Sequence, residues 1–121
     1  MDEEEVFEFI RKHIGSVGTL ELLIWMQRGR DRMWQTTDLV RELRSSPVAI
    51  GQGLSSLQAA ELVAKTGDDS YSFAPASALQ AQLAADIEKL YAVRPVALMK
   101  VIMTAPNEKL RIFSDAFKLK E

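Results

Sequence analysis

The sequence has no cysteine, a single histidine, four prolines and six glycines in 121 residues. Without cysteine there is no disulfide framework, no thiol nucleophile and no thiolate metal site. One histidine, His13, excludes multi-histidine metal centres and argues against histidine-based catalysis. Neither sign of charge dominates: 15 basic side chains stand against 17 acidic ones, a net of −2. That balance argues against coating nucleic acid by bulk electrostatics, while leaving room for a local basic patch. Long apolar runs are also missing. The longest, Leu22 to Met26 and Val96 to Met103, fall far short of the roughly 18 residues that span a bilayer. Four of the first five residues are acidic, where a secretory signal is basic and then apolar. The expectation is a cytoplasmic protein with no membrane contact.

Catalytic constellations are absent too. Glu3-Glu4-Glu5, Asp68-Asp69 and Asp86-x-Glu88 read as solvated caps, turns or helix faces. Asp68-Asp69 lacks the further oxygen ligands that calcium needs. Gly51-Gln52-Gly53 lacks the lysine that follows a phosphate-binding glycine loop. The chain therefore reads as a non-enzyme without cofactor or metal.

What is present is an ordinary globular composition, 47% hydrophobic and 26% charged, at a length that suits one compact domain. Val6, Phe7, Ile10 and Ile14 recur at helical period, with acids in the first turn and Arg11, Lys12 and His13 in the last. Gly15 stops that helix, leaving His13 exposed or stabilised by the helix dipole at its end. Ser16 caps a second helix to about Arg28, apolar around most of its circumference and so expected in the middle of the fold. Met33-Trp34-Gln35 reads as a single extended strand. Trp25 and Trp34 are expected as core and strand residues. Thr36 is expected to cap a third helix with Leu39, Val40 and Leu43 inward.

Ser45-Ser46-Pro47 is the sharpest punctuation, with Ser46 as N-cap and Pro47 at the first helical position. The helix it opens runs to about Ala60 and puts Ile50, Leu54 and Leu57 on one face. Leu62 to Lys65 and Tyr71 to Phe73, around Thr66-Gly67-Asp68-Asp69-Ser70, read as a β-hairpin. Ser77 caps a helix striped by Leu79, Leu83, Ile87, Leu90 and Tyr91. Arg94-Pro95 ends it, and Val96 to Met103 reads as a further, largely buried helix. Thr104-Ala105-Pro106 opens a last one carrying Leu110, Phe113 and Phe117. The predicted fold is mainly α with a small β-hairpin. Residues 1–15 form an N-terminal helix, residues 16–75 a central domain and residues 76–121 a C-terminal helical segment.

Helix, short strand, helix, tight turn, helix and hairpin is the order of a winged helix-turn-helix domain. Trp34 to Leu43 resembles the strand and first helix of that motif, Ser46 to Leu57 its turn and recognition helix, and Leu62 to Phe73 its wing. About half the chain is covered, and the pattern is similar to that of bacterial MarR-like transcriptional regulators. The resemblance implies a winged helix-turn-helix core with flanking N- and C-terminal helices and double-stranded DNA as partner. It also implies a homodimer built from the terminal helices. The dimer interface is expected at Leu98, Met99, Ile102, Met103, Phe113 and Phe117.

Two readings of function follow. In the first, a dimeric DNA-binding regulator, Val48, Gln52, Ser55 and Ser56 point outward from the recognition helix at 100° per residue. Backbone contacts fall to Arg28, Arg30, Arg32, Arg41 and Arg44, with Thr37, Ser46 and Lys65 beside them. Residues 27–44 carry these five arginines against three acids, whereas residues 1–26 carry six acids and two bases. In the second reading the motif is a protein-interaction module that docks a protein partner. It rests on two features: residues 47–60 contain no Lys or Arg, and the expected wing tip is Asp68-Asp69. Gly51 and Gly53 inside the recognition helix each cost roughly 1 kcal/mol relative to alanine. They imply either close packing against a neighbouring helix or a flat surface for another backbone.

Overall fold

The computed structural model describes residues 2–104. The expected last helix, with Phe113 and Phe117, lies outside the described residues. Among the described residues nine elements follow one another: α1 (Glu3–His13), α2 (Val17–Arg28), β1 (Trp34–Gln35), α3 (Thr36–Leu43), α4 (Pro47–Ala59), β2 (Val63–Lys65), β3 (Ser70–Phe73), α5 (Ala78–Val93) and α6 (Pro95–Thr104).

Local chemistry sets most of the boundaries. The hydroxyls of Ser16, Ser46 and Ser77 accept the N–H groups of Thr19, Ala49 and Gln80 at 3.0, 3.1 and 3.3 Å. Each satisfies one of the orphan donors of a first helical turn. The third helix differs from the sequence expectation. Gln35 is its N-cap and Thr36 its first helical residue, with the Asp38 carboxylate accepting the Gln35 N–H at 3.2 Å. Thr36 is diverted because its hydroxyl is bonded elsewhere, to Asp69.

The hairpin gains a third strand. The sheet order is β1-β3-β2, all antiparallel. Trp34 faces Tyr71 across one pair, and Val63 faces Phe73 across the other. This sheet fastens the wing to the strand that precedes α3. The Trp34 ring then lies so close to Gly29 that a Cβ there would sit 2.6 Å from its Cζ2, so only glycine fits the end of α2.

Among the described residues one hydrophobic cluster holds the fold, drawing Val6 and Ile10 from α1, Leu54 and Leu57 from α4, Ile87 from α5 and Leu98 from α6. The segments 1–15 and 16–75 and the described part of 76–121 thus share one core. Helix α2 runs through its middle, as its apolar circumference requires, touching α4, α5, α6 and β3. Its buried polar residue Gln27, 2% exposed, donates to the Ala84 carbonyl at 3.2 Å and to the Glu88 carboxylate. Arg28 meets the same carboxylate at 3.4 Å. Glu88 is therefore a half-buried tie between α2 and α5, and not the solvated helix residue its sequence context implied.

Three further expectations need correction. Leu79 continues the α5 stripe by period, yet is 55% exposed in the first turn. Asp86 is half-buried and accepts a hydrogen bond from Gln82 at 2.9 Å. His13 is half-buried, its ring centroid 4.7 Å from that of Phe9. Burial, and then the neighbouring Lys12 charge, hold its pKa below the ordinary 6.5.

Candidate nucleic-acid interface

Helix α4 turns Ile50, Gly53, Leu54 and Leu57 to the core. Val48, Gln52 and Ser55 are exposed, as the helical period predicts, and Ser56 is half-buried. Val48 is 70% exposed. The two glycines have separate causes. A Cβ on Gly53 would stand 2.9 Å from Leu22 Cδ2 and 3.3 Å from Thr19 Oγ1, so this glycine lets α4 press onto α2. A Cβ on Gly51 would meet nothing within 4 Å, so Gly51 flattens the outer face instead.

Two left-handed residues bracket the helix, Arg44 at φ 52° and Glu61 at φ 62°. Arg44 closes α3 and begins the tight turn into α4, where the Ser45 N–H donates to the Val40 carbonyl at 3.1 Å. A non-glycine residue in this conformation costs about 1–2 kcal/mol. Its side chain is exposed, lines an open cleft of about 180 Å³ beside the first turn of α2, and makes no ion pair among the described residues.

The other four candidate arginines are engaged. Arg28 pairs with Glu88. Arg30 Nε donates to the Gln27 carbonyl at 3.3 Å. Arg32 lies over the Trp34 ring, 3.9 Å from its centroid. Arg41 pairs with Asp38 at 3.2 Å and stands 3.9 Å from Glu42. Exposed pairs of this kind are worth about 0–1 kcal/mol, so exchanging a carboxylate for a phosphate costs Arg41 little. Thr37 on α3, Ser46 at the cap and Lys65 on β2 are exposed. The fold thus gathers Thr37, Arg41, Arg44, Ser46 and the outer face of α4 along α3, the turn and α4. Arg28 is drawn toward α5.

The wing turn holds a feature that sequence reasoning missed. Thr36 donates its hydroxyl to Asp69 Oδ1 at 2.6 Å and its N–H to the Asp69 carbonyl at 3.2 Å. The Thr66 N–H bonds the Ser70 carbonyl at 2.7 Å across the same turn. One of the two wing acids is therefore engaged at the start of α3, where the positive end of the helix dipole favours a carboxylate. No local signal marks this partnership, because 33 residues separate the two.

Of the dimer residues expected from sequence, Leu98 and Ile102 belong to the chain's own core. Met99 is half-buried and Met103 is 77% exposed. Among the described residues no group of three or more His, Asp or Glu side chains is placed to hold a metal ion. No described helix is long and apolar enough to cross a membrane.

No protein-family model and no curated protein matches the sequence. Among solved structures, the chain is similar to the adhesin competence repressor AdcR from Streptococcus pyogenes. The two share 15% identity and a TM-score of 0.51, over 88% of this chain and 79% of that one. It is also similar to ZitR from Lactococcus lactis, at 14% identity and a TM-score of 0.49, over 84% of this chain and 69% of that one. The element order, the three-stranded sheet with its wing and the likeness to AdcR establish the winged helix-turn-helix fold.

Proposed function

We propose that this protein is a cytoplasmic, dimeric winged-helix regulator of transcription that binds duplex DNA. The observation that carries the reading is the outer side of α4. In its first turns Val48, Gly51 and Gln52 are exposed, and the left-handed Arg44 shortly before them has no ion-pair partner among the described residues. A recognition helix needs an accessible polar face for base edges and cations beside it for phosphates. Gln52 and Ser55 supply the face; Arg44 and Arg41 supply the cations. The likeness to a repressor supports the fold on which this rests. Dimerisation falls to the terminal helices, through Met99, Met103, Phe113 and Phe117, and pairs two weak heads on one DNA. The experiment is binding of random duplex DNA followed by fluorescence anisotropy at low salt. Retention that weakens as salt rises supports the proposal, and no retention contradicts it.

One observation favours a second reading, that of a protein-docking module: α4 bears no charge at all. In that case the Val48–Gln52–Ser55 face contacts a protein partner, and duplex DNA does not compete for it.

A further inference from the structure

Taking α4 as the element that enters the major groove, we infer that it reads A·T base pairs, through Gln52 to adenine and Val48 to the thymine methyl group. The inference rests on the DNA-binding reading above and concerns what that same face recognises.

The chemistry of base edges decides it. Guanine is read in the major groove by arginine or lysine on O6 and N7, and cytosine by a carboxylate on its amino group. Residues 47–60 contain no Arg, Lys, Asp or Glu. Adenine is read by a carboxamide that accepts from N6 and donates to N7, and thymine by an apolar side chain against its methyl group. Gln52 and Val48 are those two groups. Both are exposed, Val48 to 70%, and the Gln52 carboxamide has no hydrogen-bond partner among the described residues.

Spacing agrees with the inventory. Val48 and Gln52 are four residues apart on one face of the helix, roughly 6 Å along its axis. That distance is about two base-pair steps, so the two side chains address pairs about two steps apart, with one pair between them. Both lie in the N-terminal half of α4, the part of a recognition helix that approaches base edges. Between them Gly51 offers open space where a Cβ would stand, which lets the helix sit deep enough for a short carboxamide to reach. Ser55, one turn further on, donates or accepts and discriminates little. The absence of charge on α4 thus acquires a specific meaning in a DNA reader: guanine and cytosine have no reader on it.

The test is selection of bound duplexes from a randomised pool at low salt, with the wild type, Gln52→Ala and Val48→Ala. Both side chains are exposed, and unchanged thermal unfolding of the variants confirms that they fold. The expected wild-type result is enrichment of two A·T pairs about two steps apart. Gln52→Ala should lose roughly five- to 150-fold of the preference at one position. On the selected duplex, 7-deazaadenine at that position should weaken the wild type and leave Gln52→Ala unaffected. Uracil for thymine at the second enriched position should weaken the wild type but not Val48→Ala. Enrichment of G·C pairs, or an unaltered preference in Gln52→Ala, overturns the inference while leaving DNA binding standing. Failure of the wild type to retain any duplex overturns the DNA-binding reading, and the inference with it.

Discussion

Thr36 and Asp69 are joined twice, hydroxyl to carboxylate at 2.6 Å and amide to carbonyl at 3.2 Å, across 33 residues of chain. The pair fixes the wing turn to the first residue of α3, and with it the angle between wing and helix-turn-helix. Thr36→Val and Asp69→Ala should each lower stability by about 0.5–1.5 kcal/mol. Because both remove the same hydroxyl–carboxylate bond, the double variant should lose less than the sum of the two. Urea unfolding of the four proteins measures this, and strictly additive losses would show that the bond contributes nothing.

The two glycines of α4 should respond oppositely to alanine. Gly51→Ala places its methyl in open space and should raise stability by roughly 1 kcal/mol through helix propensity. Gly53→Ala drives its methyl against Leu22, itself 1% exposed, and against Thr19. Overpacking of that kind costs about 1–3 kcal/mol and should exceed the propensity gain. Thermal melts of the two variants should therefore move in opposite directions.

Arg44 carries a conformational cost that glycine would not. Arg44→Gly should leave stability unchanged or raise it by up to about 1 kcal/mol, because φ is 52° there. The same change should weaken duplex binding uniformly across sequences, since a phosphate contact carries no base information. Arg28→Ala should leave binding near the wild-type value, because Arg28 is directed to Glu88. Anisotropy titrations beside thermal melts separate the two effects; equal binding by Arg44→Gly and wild type would remove Arg44 from the interface.

Stability should also depend on His13. Burial and Lys12 lower its folded pKa below 6.5, so between those two values the unfolded chain binds more protons. Its contribution is thus complete above pH 6.5 and declines as pH falls through the lowered folded value. His13→Gln should flatten that part of the stability–pH curve. An unaltered curve would assign the acid sensitivity to other groups.

The terminal helices divide into core and candidate interface. Leu98→Ala should cost about 2–5 kcal/mol as a cavity in the monomer core. Met103→Asp, at a residue 77% exposed, should leave stability nearly unchanged and shift light scattering toward monomer. A wild type that is monomeric at all working concentrations would contradict the dimer.

What the sequence made legible was local. Ser16, Ser46-Pro47 and Ser77 mark helix starts because a cap and its donor lie three residues apart. The inner and outer faces of α4 follow from a fixed 100° period. Readings failed where a distant partner intervened. Thr36 looks like a cap until Asp69 takes its hydroxyl, and Glu88 looks solvated until Gln27 and Arg28 arrive from α2. Leu79 shows a related limit: periodicity says which side of α5 faces inward, but not how far the opposing helices extend. The left-handed backbones of Arg44 and Glu61 were also out of reach, since neither is the glycine that normally announces such a turn.

In the proposed function, α4 and the neighbouring arginines form a surface for duplex DNA. The most direct measurement is the affinity for random duplex DNA as a function of salt. Binding is expected at about 50 mM salt, with a log–log slope of roughly −2.7 to −3.6, the release expected from three to four phosphate contacts. No detectable binding at that salt, or an affinity indifferent to salt, would contradict it.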